Sequence, residues 1–364
     1  MTLAPDEEAT RTVEEALRAF EAPGFSGSFV LEPMPGGAST RKFFRVGAKG
    51  GQSWVAMYVP KPSQEISKAR QATNSRPFVE VRELLSSNQV SVPTIYRHFE
   101  ELNVLIVEDL GDLTLAEFLK IAPSAKEALY EEAVRALALA QLALRELPPT
   151  SIVNERAFDR ELLLWEILHF EEYALRGRGI VLGPSESAVF SEAAEYLAQR
   201  IAALPRGFTH RDYQSRNLML RPDAALAFQS PDAAEPGEKV LTWIDFQDAM
   251  LGPRVYDLVA LLTDSYQTFS RAFVEQRLAE YAEQAGAELS TVVAEFDLVT
   301  VQRKLKDAGR FIFLDQVNGA SHFLKYVEPT VDKVLDALGR LEAVPELKAL
   351  LGLLQSRLRP SLSA

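Results

Sequence analysis

A chain of 364 residues with 47% apolar and 25% charged residues is long for one hydrophobic core and suits two lobes around a cleft. Its net charge of -12 argues against a nucleic-acid partner, which needs clustered Lys and Arg, yet leaves room for a nucleotide held by a local cation. The absence of cysteine rules out disulfides and thiolate metal sites; four scattered histidines argue against structural zinc, and the lack of a signal or an apolar run of roughly 20 residues points to a cytoplasmic protein with no membrane partner.

Residues 6–20 place Ala9, Val13, Ala16, Leu17 and Phe20 at helical spacing behind several acids, which predicts a helix stopped by Pro23 and Gly24. Two strand-like runs, 28–31 and 41–46, are joined by a segment containing Gly36 and Gly37. That pair either turns a plain hairpin or lets the backbone approach phosphates. Residues 53–59 read as the third strand. Met57 occupies the place of the lysine that grips nucleotide phosphates in protein kinases, and Arg45 and Lys61 are candidate substitutes. A helix opened by proline follows from Arg76, with Glu80 or Glu83 either as its functional acid or as part of a solvated face. Residues 90–96 and 102–107 complete the sheet, and 108–111 leave it as a polar turn ending on glycine.

From Thr114 the period changes to helical. Thr114 and Glu117 have capping-box spacing, and an Ala/Leu-rich helix over 125–146 ends at Pro148 and Pro149. In the next predicted helix, 158–173, Asp159 and Glu166 lie two turns apart on one side. Such a side could bind sugar hydroxyls while Trp165 or Phe170 stacks on a ring, or could form salt bridges to neighbouring helices.

Residues 208–220 carry the pattern His210-x-Asp212-x-x-x-x-Asn217 on a loop between two short strands, and the apolar strand 240–244 ends on Asp245. Phosphoryl transfer from a nucleotide calls for this set: one carboxylate to orient the attacking hydroxyl, and an amide oxygen with a second carboxylate for magnesium. The intervening 221–239 reads as a mobile polar loop. Later, Arg303, Lys306 and Arg310 recur at helical spacing, either gathered for an anionic substrate group or set on a solvated face.

On these motifs, together with Ile244-Asp245-Phe246-Gln247-Asp248 and Tyr256-Asp257-Leu258, the chain resembles the aminoglycoside phosphotransferase and choline kinase superfamily. The blocks 38–46, 76–79, 108–112, 210–219 and 302–306 resemble more specifically the bacterial anomeric amino-sugar kinases of cell-wall recycling. That group also lacks the third-strand lysine. The resemblance implies an α+β, two-lobed protein-kinase-like fold, with an antiparallel nucleotide-binding lobe over 1–109, a mainly helical lobe over 110–364 and a hinge about 108–112. It implies a monomer using ATP and Mg2+ to phosphorylate the C1 hydroxyl of N-acetylmuramic acid or N-acetylglucosamine. Asp212 would be the base, Asn217 and Asp245 the metal ligands, and Asp257 a brace for the catalytic loop. Gly36, Gly37, Arg45, Glu108, Leu110 and Arg216 would contact the nucleotide. Asp159, Glu166, Gln214, Gln247, Arg303 and Arg310 would meet the sugar. An amino-alcohol kinase and a nucleotide sensor without catalysis are the alternatives.

Overall fold

The computed structural model describes residues 5–25, 27–35, 41–48, 51–60, 76–229 and 240–359. Gly36, Gly37 and Lys61 lie outside them. The described strands are β1 (Phe29–Pro33), β2 (Lys42–Ala48), β3 (Ser53–Tyr58), β4 (Ile95–Phe99), β5 (Val104–Glu108), β6 (Arg206–Thr209), β7 (Leu218–Leu220), β8 (Leu241–Trp243) and β9 (Met250–Pro253). The α+β class expected from the sequence is realised: an antiparallel sheet in the amino-terminal region, then a mainly helical region. The chain divides into two compact units, Met1–Ala122 with Arg216–Asp248, and Pro123–Ser215 with Ala249–Ala364.

In the first unit β1 to β5 form one antiparallel sheet in the order β1-β2-β3-β5-β4. The helix Pro5–Arg18 lays Ala9, Val13, Ala16 and Leu17, all fully buried, against Trp54, Ala56, Val104 and Ile106. Because side chains alternate across a pleated strand, Val55 and Met57 take the opposite face, and both are buried as well. Burial on both faces explains why this strand reads as a continuous apolar run instead of an alternating one. The helix Arg76–Ser87 buries Pro77, Phe78, Val81 and Leu85, while Glu80 pairs with Arg76 at 2.5 Å and Glu83 is exposed.

A second ladder in this unit joins β7 to β8, with Leu218 opposite Trp243, and Thr114 bridges to Met219. The same Thr114 caps the helix Leu115–Ile121 by accepting the Glu117 amide at 3.1 Å. The segment after β7 differs from expectation. Residues Pro222–Gln229 form a helix where the polar composition predicts a loop, because Pro222 suits a first helical turn and the buried Ala224 and Ala225 favour helix. Phe228 meets Phe118 edge-on.

The second unit is helical except for the β6–β9 ladder, in which Thr209 stands opposite Met250. Its longest helix, Leu289–Asn318, runs beside Arg160–His169, which continues as a π-helical segment Phe170–Leu175. The approach is close. A Cβ added to Gly309 would lie 2.6 Å from the carbonyl carbon and oxygen of His169. The Ala/Leu-rich segment forms the helix Lys126–Ala143, with Leu129, Ala133, Leu137 and Ala140 among its buried residues. Among the described residues no helix is long and apolar enough to cross a membrane.

Backbone cannot move aside as a side chain can, so Gly309→Ala is expected to lower unfolding free energy by about 1–3 kcal/mol. A urea-denaturation midpoint equal to that of the unaltered protein would contradict this close contact.

Candidate active site

The His210-x-Asp212 loop begins where β6 ends. Fully buried Thr209 leads into His210 and then Arg211, whose φ of 81° lies in the left-handed region. A bulky residue held there costs on the order of 1–3 kcal/mol and needs outside support. Asp257, fully buried in the first turn of the helix Tyr256–Leu262, supplies it. Its Oδ2 accepts the His210 amide at 2.7 Å and its Oδ1 the Arg211 amide at 2.9 Å. Burial pushes the Asp257 carboxyl up to about 7, against the opposite pull of those two N–H donors and of Arg303.

Arg303 comes from the long helix and is 2% exposed. Its Nη1 donates to the Arg211 carbonyl at 2.8 Å and its Nη2 to Asp212 Oδ1 at 3.3 Å, while its guanidinium lies over the Tyr256 ring. The cationic residues therefore do not form a solvated face, since Arg303 and Lys304 are buried and Lys306 pairs with Asp307. Burial raises the Asp212 carboxyl, but Lys306, Arg303, Arg211 and His210 outweigh it and hold the group below its ordinary range. The Asp212 side chain remains 35% exposed. It is an ionised, accessible carboxylate of low basicity.

Glu166, 1% exposed, accepts from Arg211 at 3.3 Å and from Gln302 at 2.9 Å. Asp159 caps its helix by accepting the Leu162 amide at 2.9 Å. The two acids therefore have different surroundings, one in a buried ion pair and the other at a helix start. Gln214 is half-buried beside Asp212, its amide donating to the Asp212 carbonyl, and the Arg310 guanidinium lies 4.5 Å from the Phe313 ring centroid. The loop leaves this unit through Tyr213, which donates to the Ala133 carbonyl, and Ser215, whose amide donates to Asp264.

In the first unit Asn217 immediately precedes β7, and Asp245 follows two residues after β8. The Ile244 amide donates to the Asn217 carbonyl at 3.0 Å, which sets the two short segments side by side. Asp245 has a φ of 63°, and its side chain is 42% exposed. Gln247 donates to Asp245 Oδ1 at 2.8 Å and to Asp248 Oδ2 at 3.3 Å. Arg41, a residue given no role in the sequence reading, is 7% exposed and lies 3.4 Å from Asp248 and 3.6 Å from Asp245. Its signal is the spacing Arg41-x-Phe43-x-Arg45, which in extended chain puts all three on one side.

The donor set of Asn217 and Asp245 fits a hard divalent cation: an amide oxygen and a half-open carboxylate on adjoining segments. Among the described residues no group of three or more His, Cys, Asp or Glu side chains is placed to hold a metal. Magnesium here would complete its sphere with phosphate and water oxygens.

Beside these residues the first unit has a pocket of about 330 Å³, within the usual range for small ligands. Glu108, Asp109, Leu110 and Gly111 line one part of it, Met219 and Thr242 another. Arg45 does not reach outward from its strand. It pairs with Asp109 and Asp112, each through two hydrogen bonds of 2.8–3.2 Å, and so ties β2 to the turn after β5. Met57 is 1% exposed, and Arg216 is exposed.

Asp257→Asn leaves one acceptor oxygen for two buried amides. It is expected to cost about 1–3 kcal/mol of stability. An unfolding curve that coincides with that of the unaltered protein would show the brace to be dispensable.

A family model described as "Phosphotransferase enzyme family" matches residues 30–291. The N-acetylmuramate/N-acetylglucosamine kinase of Pseudomonas putida is 32% identical over 331 residues, covering 88% of this chain and 87% of that protein. Among solved structures, the choline kinase of Streptococcus pneumoniae superposes with a TM-score of 0.59 at 13% identity, covering 90% of this chain and 99% of that one. An ADP-bound aminoglycoside phosphotransferase does so with a TM-score of 0.51 at 14% identity, over 84% and 92% of the two chains. The ionised Asp212 on its braced loop thus belongs to a chain whose fold is that of choline and aminoglycoside kinases, and the chain is a member of the phosphotransferase enzyme family, an enzyme that transfers phosphate to a hydroxyl acceptor.

Proposed function

We propose that this protein uses ATP to phosphorylate the anomeric hydroxyl of an amino sugar, N-acetylmuramic acid or N-acetylglucosamine. The observation that carries the reading is the likeness to a kinase named for both sugars, which extends over most of both chains and so takes in both units. The solved structures are too distant to speak to the acceptor.

Asp212 orients the acceptor hydroxyl and receives its proton. Its depressed basicity suits a loose transition state, in which the bond to the leaving group is largely broken before the nucleophile's proton must depart. Arg303 holds the carboxylate in place, and Lys306 and Arg303 together keep it ionised. Asn217 and Asp245 would hold magnesium, which when bound neutralises charge on the phosphates. The pocket beside Leu110 would take the nucleobase. Preorganised charge and orientation then do most of the work, with little covalent chemistry required of the protein.

Incubation with ATP, magnesium and a panel of free sugars and amino alcohols tests the assignment. Phosphorus and proton NMR should show phosphate on C1 of one or both amino sugars. Phosphate on another hydroxyl would overturn the position, and transfer to amino alcohols alone would overturn the substrate. Asp212→Ala should lose turnover by several orders of magnitude while still binding ATP. Near-normal turnover in that variant would remove Asp212 from the reaction.

The pH dependence follows from the sign of the Asp212 shift. The ionised form is the active one and its pKa is lowered, so kcat should show no acid limb from this carboxylate above about pH 4. Removing the largest cationic influence in Lys306→Met should raise that pKa and bring the limb to higher pH. A limb that stays put would contradict this electrostatic account.

A further inference from the structure

We infer that Arg41 is the phosphate-binding cation of the nucleotide site, in place of the lysine that the third strand lacks. This rests on the ATP reading above and names the residue that carries part of it. Met57 is buried and has no charge to offer. Its partner across β2–β3 is Phe43, and continuing that register one residue beyond the first strand residue, Lys42, puts Arg41 diagonal to Met57 on the same side. Diagonal neighbours stand roughly 7–8 Å apart, a gap that an arginine side chain spans. A charge from position 41 therefore serves the region that a lysine at 57 would serve.

The other cation on this face has a different task. Arg45 is bound twice over to Asp109 and Asp112, with all its contacts directed at the turn beyond β5. Arg41 is directed at the acids after β8. Its Nη1 lies 3.6 Å from Asp245 Oδ1 and its Nη2 3.4 Å from Asp248 Oδ2, and the Gln247 amide donates to both acids. A guanidinium beside Asp245, the carboxylate that would hold magnesium, stands where the phosphates of a metal-bound nucleotide would come. The fork of Arg also matches phosphate in a two-point geometry that lysine cannot reproduce. Asp248 and Gln247 hold the guanidinium in position and are positioning residues in this scheme.

The test separates phosphate binding from folding. Calorimetric titration of the full chain with adenosine, ADP and ATP, each with and without magnesium, is compared for the unaltered protein, Arg41→Gln and Arg41→Lys. A charged hydrogen bond to phosphate is worth roughly tenfold or more in affinity. Arg41→Gln should therefore bind ADP and ATP at least about tenfold more weakly and adenosine unchanged, with Arg41→Lys between. Unchanged ADP and ATP affinities in Arg41→Gln would overturn the inference, as would an equal loss for adenosine, which would mark a structural role. Should Arg41→Gln fail to fold, Arg41→Lys decides by the same split. Selective weakening of the phosphate-bearing ligands supports the inference, and an equal change or none overturns it. If the unaltered protein binds none of the three, the nucleotide reading itself falls, and this inference with it.

Discussion

One buried carboxylate meeting two backbone amides sets the geometry of the loop that carries Asp212. Asp257 accepts the amides of His210 and Arg211, and this contact pins the chain where Arg211 takes a left-handed conformation that a bulky residue does not adopt unaided. With Arg211 turned, its carbonyl meets Arg303 and its guanidinium meets Glu166, so the following residue, Asp212, projects under control from both sides. Burying so much charge is costly unless each group is paired and hydrogen-bonded. Glu166 pairs with Arg211, Asp257 takes two backbone amides and Arg303 donates to the Arg211 carbonyl and to Asp212, on which the residual exposure falls.

The first unit applies a related device to its acids. The Ile244 amide bonds the Asn217 carbonyl, and Asp245, again at positive φ, turns its carboxylate partly into the open while Gln247 and Arg41 hold it. Two residues at positive φ, one in each unit, thus set the carboxylates assigned to proton and metal: Arg211 directly precedes Asp212, and Asp245 is itself strained. The protein is acidic by composition, yet it sets one arginine, Arg45, on β2 and another, Arg41, directly before that strand. Local arrangement, and not net charge, decides what such a surface can bind.

Much of this was legible from residue order. The five apolar positions between Ala9 and Phe20 recur at a helical period, and they are the ones buried. Thr114 with Glu117 announced a cap that is present. The His-x-Asp pattern and the later Tyr-Asp-Leu declared the family, because those residue types at that spacing have few other uses. What stayed hidden depends on partners distant in sequence. Asp159 looked like half of an open acidic face, but a helix start next to an aspartate competes for the same oxygen. Arg45 looked like a phosphate grip until Asp109 and Asp112 were placed against it. The helix Pro222–Gln229 was obscured by the polar, proline-containing residues beyond it, which dominated the composition of the stretch. No local pattern could show that Arg216–Asp248 joins the amino-terminal unit, since that follows from the pairing of β7 with β8 and the bridge of Thr114 to Met219.

The central claim is that Asp212 works as an oriented, persistently ionised carboxylate and not as a strong base. A carbon-13 NMR titration of its carboxyl carbon in the full chain measures this directly. The account requires the midpoint of that titration to fall below 3.8, the ordinary value for the group. A carboxyl that titrates at or above that value would contradict it, for Lys306 and Arg303 would then fail to outweigh the effect of burial.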